Sequence, residues 1–482
     1  MINLIKNELI KIAHKKFIYI LSIIVLVVLF CSVNFEKNYI NNDNQIYLEN
    51  DYNYYKNNLE NYDLSSREEA VLYAEDLSML QTLEFLKKYD SKSPEYYYID
   101  TEVNGALNQL NYAKYVTKIS DDISNYQIIY ENMLNKLNNF NWKNDLIEER
   151  EQYRKQIIEI ENAMNISGVD TLTLEKEIKL LQINIKAINY RIDYEIPYAY
   201  TDTSQLIDDY LSSANNYFSV KNKEKMYKNR DELLQSREIL SKYKISEYKL
   251  ENKMIYDGTK NELGELIISL FKYVDTIILL VIIIISGAII ADEFNKGTIK
   301  QLLIKPYSRV EILTSKIIAA ILFLFLFLIF YYMVNIFAYC YLYDDFSIIF
   351  GNTIVYNFDT NKVEIINLIV YCLVNFIAIF PQYLIIFLIV LFVGVFSTNV
   401  VAAISSGLGV FFLSDVLSYS VSQKIASWIP ILCWDFTPYL FGGISANGYA
   451  TFSKSAFICL VTIILLLIGT YLIFKNKDIK NQ

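Results

Sequence analysis

The densest group of charged side chains in the apolar half of the sequence lies between Ala291 and Lys316 and separates two long apolar runs. It holds five cations and three anions, namely Asp292, Glu293, Lys296, Lys300, Lys305, Arg309, Glu311 and Lys316. A short loop rich in Lys and Arg beside apolar runs is typical of the cytoplasmic side of a membrane protein. The chemistry that these residues suit is ion pairing and the binding of another surface.

Elsewhere the sequence carries few residues that suit catalysis or metal binding. His14 is the single histidine, which argues against a zinc site and against a histidine-dependent triad. No Gly-x-x-x-x-Gly-Lys-Ser/Thr motif occurs, so ATP binding through a P-loop is excluded. The cysteines lie in or near apolar segments and cannot cross-link the polar middle of the chain: Cys31, Cys340, Cys372, Cys433 and Cys459. We therefore predict a protein that is not an enzyme and that uses no cofactor or metal.

The charged loop also contains a short amphipathic pattern. Ile299, Leu302 and Leu303 recur at spacings of three and four, which predicts a short helix. Pro306 ends that pattern, because proline lacks the N–H and clashes with the preceding turn. Such a helix would lie flat at the membrane surface with its lysines towards water.

The order of residues in this loop resembles the first cytoplasmic loop of ABC-2 type transporter permeases. The shared pattern is Glu-x-x-x-Gly-Thr, then Leu-Leu, Pro-x-x-Arg, Ile-Leu and Lys. The matching positions are Glu293, Gly297, Thr298, Leu302, Leu303, Pro306, Arg309, Ile312, Leu313 and Lys316. In that family the loop is a coupling helix that docks on a separate ATPase subunit. The alternative, which charge alone would support, is an ordinary cytoplasmic loop with a surface helix.

The resemblance implies a role for the loop and a set of partners. Glu293, Gly297 and Arg309 would shape and anchor the loop, and Leu302 and Leu303 would be its apolar contacts with the ATPase. The family works as two six-span halves, so a second permease, identical or related, is implied. The substrates of that family suggest that this protein exports an amphipathic peptide, antibiotic or lipid. Nothing in the sequence selects among these three.

The predicted fold class is an all-α integral membrane protein with a large helical domain between its first and second spans. Residues 1–33 would form an interfacial helix and the first span, at 17–33. Residues 34–265 hold 28 Lys and Arg against 41 Asp and Glu, a net charge of −13. An acidic domain between cationic flanks fits an extracellular position and gives no support for nucleic-acid binding.

Within this polar domain, heptad spacing predicts an antiparallel, coiled-coil-like helical hairpin over 144–194. Its clearest stripe consists of Leu174, Ile178, Leu181, Ile185, Ile188 and Ile192. The hairpin would serve as a scaffold, or it would receive, shield or sense an exported molecule. The sequence shows no binding site in it.

Residues 266–482 would hold five further spans, at 266–290, 317–338, 365–396, 400–417 and 455–474, with the coupling loop at 291–316. The aromatic stretch 418–453 contains Pro430 and Pro438 and resembles the re-entrant segment of ABC-2 permeases, with an interfacial loop as the alternative. Six spans place both ends of the chain in the cytoplasm and residues 34–265 outside. The protein would be a multi-pass protein of the cell membrane, with membrane lipids as a partner.

Two other classes fit part of these features. FtsX/MacB-like permeases also have a long first outer loop, but they have four spans, so the span count separates the two. A membrane-anchored receptor or adhesion protein would explain the large polar domain without any transport. It would not explain the Glu-x-x-x-Gly-Thr loop.

Overall fold

The structure is a computed structural model that divides into two compact units. It describes residues 1–16, 44–164, 171–221, 230–252, 278–287, 307–342, 346–445 and 450–477, with Glu293, Phe294 and single positions in 19–31 and 289–291. The polar unit comprises residues 38–226 and 236–258. The apolar unit comprises residues 1–37, 227–235 and 259–482.

The described elements are almost all helical. From the start of the chain to the end of the polar unit, they are α1 (Ile2–Ala13), α2 (Asn44–Leu59), α3 (Arg67–Leu86), α4 (Pro94–Tyr98), α5 (Asn104–Tyr112), α6 (Ser120–Asn138), α7 (Trp142–Met164), α8 (Thr171–Asp193), α9 (Asp202–Lys221) and α10 (Arg230–Glu251). Two π-helical turns, Ile99–Val103 and Ala113–Thr117, flank α5.

The rest of the apolar unit is built from long apolar helices and one small sheet. They are α11 (Ile278–Gly287), α12 (Arg309–Leu342), β1 (Asn352–Asn357), β2 (Lys362–Asn367), α13 (Leu368–Ser397), α14 (Val400–Ser420), α15 (Gln423–Ala426) and α16 (Phe452–Asn476). The two strands pair antiparallel, with Asn352 opposite Asn367 and Asn357 opposite Lys362.

Polar side chains begin each of the four long helices of the apolar unit. Asn367, Asn399 and Thr451 accept hydrogen bonds from backbone N–H groups in the first turns of α13, α14 and α16. Ser308 and Glu311 bond reciprocally at the start of α12, a capping box. These caps satisfy N–H groups that would otherwise lack partners, so the local sequence sets where each helix begins.

One end of the apolar unit gathers the start of α12, the end of α13, the start of α14 and the end of α16. Arg309 donates through Nη1 to the carbonyl oxygens of Lys475 and Lys477, at 3.1 and 2.8 Å. Lys477 donates through Nζ to the carbonyl oxygens of Val395 and Phe396, at 2.6 and 2.8 Å. We call this the basic end, formed by α1 and residues 307–316, 395–400 and 475–477.

The opposite end, the distal end, is covered by the β-hairpin and by residues 421–445. Phe358 N–H, in the hairpin turn, donates to the Phe441 carbonyl oxygen at 2.8 Å. Phe436 N–H donates at 3.1 Å to the carbonyl oxygen of Ala378 in α13, one turn before Pro381. Pro381 has no N–H to donate to the carbonyl of Ile377, the residue before Ala378, so this contact lies beside the turn that the proline weakens. Residues 421–445 form short helical turns, and their entry into a membrane stays a prediction.

Four described helices are long and apolar enough to cross a membrane: Arg309–Ala338, Leu368–Ser397, Val400–Ser418 and Phe452–Asn476. They coincide with the last four predicted spans. The first predicted span, 17–33, lies outside the described residues apart from single positions, and α11 covers part of the second. A largely helical membrane fold is therefore confirmed, and the count of six spans stays a prediction. No strand was predicted from the sequence, so the β-hairpin Asn352–Asn367 departs from the predicted all-α fold.

The polar unit contains two clusters of buried apolar side chains. One joins α3, the π turn after α4, and α5, with Ile99, Val103 and Leu107 at its centre. The other joins α8, α9 and α10 around Ile207 and Tyr210. The helices α7 and α8 pack against each other within the predicted hairpin 144–194, although its turn, 165–170, lies outside the described residues.

The buried face of α8 differs from the predicted heptad stripe. Ile183, Ala187 and Arg191, spaced by four, are buried, whereas the predicted stripe is only partly buried except at Ile188. The reason is that α8 packs on α9 as well as on α7, so a second face is covered. Arg191 is fully buried there and ion-pairs with Asp208 of α9.

Two glycines of α14 provide a test of the packing of the apolar unit. A Cβ on Gly407 would lie 2.6 Å from Val390 Cγ2 and 2.8 Å from Ile283 Cγ2, whereas a Cβ on Gly409 would meet nothing within 4 Å. Of these two glycines, only Gly407 is in close contact with the neighbouring helices.

We expect Gly407→Leu to lower the free energy of unfolding by about 1–3 kcal/mol through overpacking. The matched control Gly409→Leu also removes a glycine from α14, but at a position where a Cβ meets nothing within 4 Å. It should leave the free energy of unfolding unchanged or raise it slightly, because leucine has a higher helix propensity than glycine. Thermal unfolding of the purified protein in detergent measures both. Equal melting temperatures for the two variants would contradict the close packing of α14 on α11 and α13.

Candidate functional site

A buried ion cluster lies at the basic end and includes Glu293, near the start of the charged segment 291–316. Lys316 Nζ is 2.6 Å from Glu8 Oε2 and 2.7 Å from Glu293 Oε2. Lys11 Nζ is 2.7 Å from Glu8 Oε1 and 3.7 Å from Glu293 Oε1. The Lys316 side chain is fully buried, and those of Glu8 and Glu293 are 6% and 15% exposed. The four charges sum to zero.

The amphipathic pattern of α1 places Glu8 in this cluster. Leu4, Glu8 and Ile12, spaced by four, form its buried face, and this face packs on α12. Ile5 and Leu9 also contact the apolar core. A carboxylate in the middle of an apolar face needs a cation opposite it. Lys316, two turns into α12, supplies that cation.

The charges of the cluster hold one another ionised. Burial disfavours the charged form of Glu8, but Lys316, with hydrogen bonds from Lys11 and Lys316, outweighs burial and lowers the pKa of Glu8. Burial likewise works against the charged form of Lys11, but the two carboxylates outweigh it and raise its pKa. Removing one partner of a buried ion pair strands the other, at a cost of about 3–5 kcal/mol.

A second set of contacts holds the residue after Glu293. The ring of Phe294 packs edge-on against Phe474 near the end of α16, with centroids 6.2 Å apart. Lys477 Nζ lies 5.3 Å from the centroid of the Phe294 ring, within the range of a cation–π contact. The Lys477 ammonium, which donates to carbonyl groups at the end of α13, therefore also contacts the charged loop near its start.

The other end of the loop is fixed by Arg309 and by the capping box of α12. Arg309 is bonded to the carbonyl groups at the end of α16, where a cation also suits the helix dipole. Residues 295–306 thus connect two points that are both tied to the basic end. Within the described part of the chain, no group of His, Cys, Asp or Glu could hold a metal ion.

The structure brings three of the predicted site residues to this end: Glu293, Arg309 and Lys316. Ile312 and Leu313, which matched the family pattern, are buried in the first turn of α12. The other predicted site residues lie outside the described residues: Gly297, Thr298, Leu302, Leu303 and Pro306.

Sequence reasoning missed four residues at this end: Glu8, Lys11, Phe294 and Lys477. Of these four, only Glu8 could have been recognised from the sequence, because it is the single acidic residue on the apolar face of α1.

The fold and the basic end define a multi-pass membrane protein whose cationic end holds both ends of a short loop. The model of the ABC-2 family transporter proteins matches residues 2–479. The chain therefore belongs to the ABC-2 family, which makes it a permease of an ABC transporter, and the predicted resemblance is confirmed.

One relative and the solved structures add little to the family assignment. A 41-residue stretch is 58% identical to the uncharacterized protein YhcI of Bacillus subtilis (strain 168) and covers 8% of this chain and 13% of that protein. No solved structure matches the chain.

We expect Lys316→Met to destabilise the apolar unit strongly, by about 3–5 kcal/mol, because it leaves Glu8 and Glu293 buried with only the half-exposed Lys11. Adding Glu8→Gln to Lys316→Met should restore part of the loss, since Glu293 and Lys11 then balance. Thermal unfolding in detergent is the measurement, with the exposed Lys424→Met as the control. A Lys316→Met protein that melts with the control would contradict the buried cluster.

The cluster also predicts a pH dependence. The pKa of Glu8 is lowered in the folded protein from its ordinary value of 4.5, so the stabilisation by this carboxylate is complete above that value. It is lost as the pH falls through the folded pKa. We expect the melting temperature of wild type to exceed that of Glu8→Gln at neutral pH, and the difference to shrink below pH 4.5. A difference that stays constant or widens in acid would rule out this role.

Proposed function

We propose that this permease is the membrane half of an ABC exporter and that residues 291–316 couple it to a separate ATPase subunit. The observation that carries the proposal is the buried cluster of Lys316, Glu8 and Glu293. A loop that merely links two helices would not need its first residues held by a desolvated ion cluster. A loop that transmits force does need such an anchor.

The distribution of charge supports a cytoplasmic position for the basic end. The N-terminal helix with its flank carries Lys6, Lys11, Lys15 and Lys16, and the same end holds Arg309, Lys475 and Lys477. Lys and Arg beside membrane spans mark the cytoplasmic side. The distal end would then face outward, and residues 34–265 would be extracellular.

The proposed mechanism is indirect. ATP binding would close the ATPase dimer, and the helix predicted around Thr298–Lys305 would receive that motion, with Leu302 and Leu303 as its apolar contacts. Because Glu293 is paired with Lys316, a displaced loop would pull on α12 and, through Glu8, on α1. The contacts of Phe294 with Phe474 and Lys477 would carry the same motion to α16.

A second permease, identical or related, would complete the transporter. The substrate class that we propose is an amphipathic peptide, antibiotic or lipid, because apolar helix surfaces suit amphiphiles better than ions. Transport is outward in this proposal. The alternative of a receptor or adhesion protein without transport has less support, because the family match extends over the apolar unit as well as the polar unit.

The test is co-expression of the chain with its cognate ABC ATPase, followed by purification in detergent. We expect the ATPase to co-purify with wild type and to be lost at least about tenfold from the double variant Leu302→Asp/Leu303→Asp, because two carboxylates would have to be desolvated in the contact. The matched control is Leu64→Asp/Leu72→Asp, two exposed leucines of the polar unit.

Two results would overturn the coupling proposal. One is a folded wild-type protein that recovers no ATPase. The other is equal recovery of the ATPase by wild type and both double variants. Either result would make the loop a surface helix and return attention to the receptor alternative.

A further inference from the structure

A large cleft opens within the polar unit, and neither the family assignment nor the proposed coupling uses it. It lies among α4 and the following π turn, the end of α6, the first half of α7 and Tyr198. Its volume is about 560 Å³, which falls within the range of sites that hold drug-sized ligands.

Aromatic rings form much of the wall of this cleft. The ring of Tyr98 lies against Phe140, with centroids 5.1 Å apart, and Tyr97 stacks on Tyr198 at 5.9 Å. Trp142 adds a fifth ring at the start of α7. Burial and the neighbouring Glu149 raise the pKa of Tyr198, so this phenol stays neutral. Neutral aromatic faces attract cations through the ring quadrupole.

The charged groups of the cleft are mostly carboxylates. Glu102, Asp145, Glu148 and Glu149 line it, against the single cation Lys136, a formal charge of 1 − 4 = −3. Hydrogen bonds hold Glu149 in place, because the hydroxyl of Tyr153 donates to its Oε1 at 2.8 Å and that of Tyr198 to its Oε2 at 3.5 Å.

The chain's own Lys136 shows how an ammonium group fits this wall. Its Nζ lies 2.9 Å from Asp145 Oδ1 and 5.7 Å from the centroid of the Tyr98 ring. The side chain is 46% exposed, so it sits at the mouth on a flexible stem. One carboxylate and one ring face are thus already used by a cation, and three carboxylates of the cleft remain.

We propose that this cleft binds an organic cation with an aromatic or apolar body. The cationic group would lie among Glu102, Glu148 and Glu149, and the body would pack on the rings of Tyr97, Tyr98 and Trp142. The nearby guanidinium of Arg191 does not oppose this, because it is fully buried and paired with Asp208. The proposal is independent of the coupling proposal, since a ligand can bind here whether or not the loop contacts an ATPase.

The test uses the full-length protein in lipid nanodiscs and two probes with the same aromatic body and opposite charge. Benzyltrimethylammonium is the cation and benzylsulfonate the anion, titrated at equal ionic strength by calorimetry. We expect saturable binding of the cation and an affinity for the anion at least about tenfold weaker, because the carboxylates repel it.

Variants then locate the site. Glu102→Gln/Glu148→Gln should weaken binding of the cation about tenfold, because both carboxylates are exposed to the cleft and attract the ligand charge. Glu159→Gln, an exposed position on α7 outside the cleft, is the matched control and should bind as wild type. Lys136→Met should strengthen binding several-fold, because it frees Asp145 and the face of Tyr98.

Three results would overturn the proposal. The first is no saturable binding of benzyltrimethylammonium by wild type and by Lys136→Met. The second is binding that the double variant and the control change equally. The third is tighter binding of benzylsulfonate that Lys136→Met abolishes, which would make the cleft an anion site centred on Lys136.

Discussion

The apolar unit depends at its basic end on one buried ammonium group, that of Lys316. Two carboxylates from distant parts of the chain, Glu8 and Glu293, approach it within 2.7 Å. None of these charges is stable in an apolar interior alone, so each fixes the position of the others. The N-terminal helix, the first residues of the charged loop and α12 therefore form one electrostatically linked group.

The carbonyl groups at helix ends impose a similar constraint nearby. The last carbonyl groups of α13 and α16 have no partner within their own helices. Lys477 supplies donors to α13, and Arg309 supplies them to α16. Each cation therefore fixes where one helix ends against another. Because Lys477 also contacts Phe294, the same side chain joins this network to the charged loop.

The two units use charge in different ways. In the apolar unit the buried charges of the Lys316 cluster balance, and the excess of cations is at one end. In the polar unit the excess is negative, and part of it lines an aromatic cleft with a charge of −3. An excess of negative charge is tolerated only where water screens the carboxylates, and the cleft is open to water. The basic end and the cleft therefore present opposite charge, each within its own unit.

The sequence by itself determined the apolar helices, because the length of an apolar run and an Asn, Thr or Ser cap are local features. It also placed Glu293, Arg309 and Lys316 in one charged segment, 291–316, although Arg309 and Lys316 belong to α12 in the structure. Only the tertiary structure decided that Glu8 pairs with Lys316, 308 positions away, because that contact depends on how α1 packs on α12. For the same reason, the second buried face of α8, the β-hairpin and the aromatic cleft could not be predicted from local patterns.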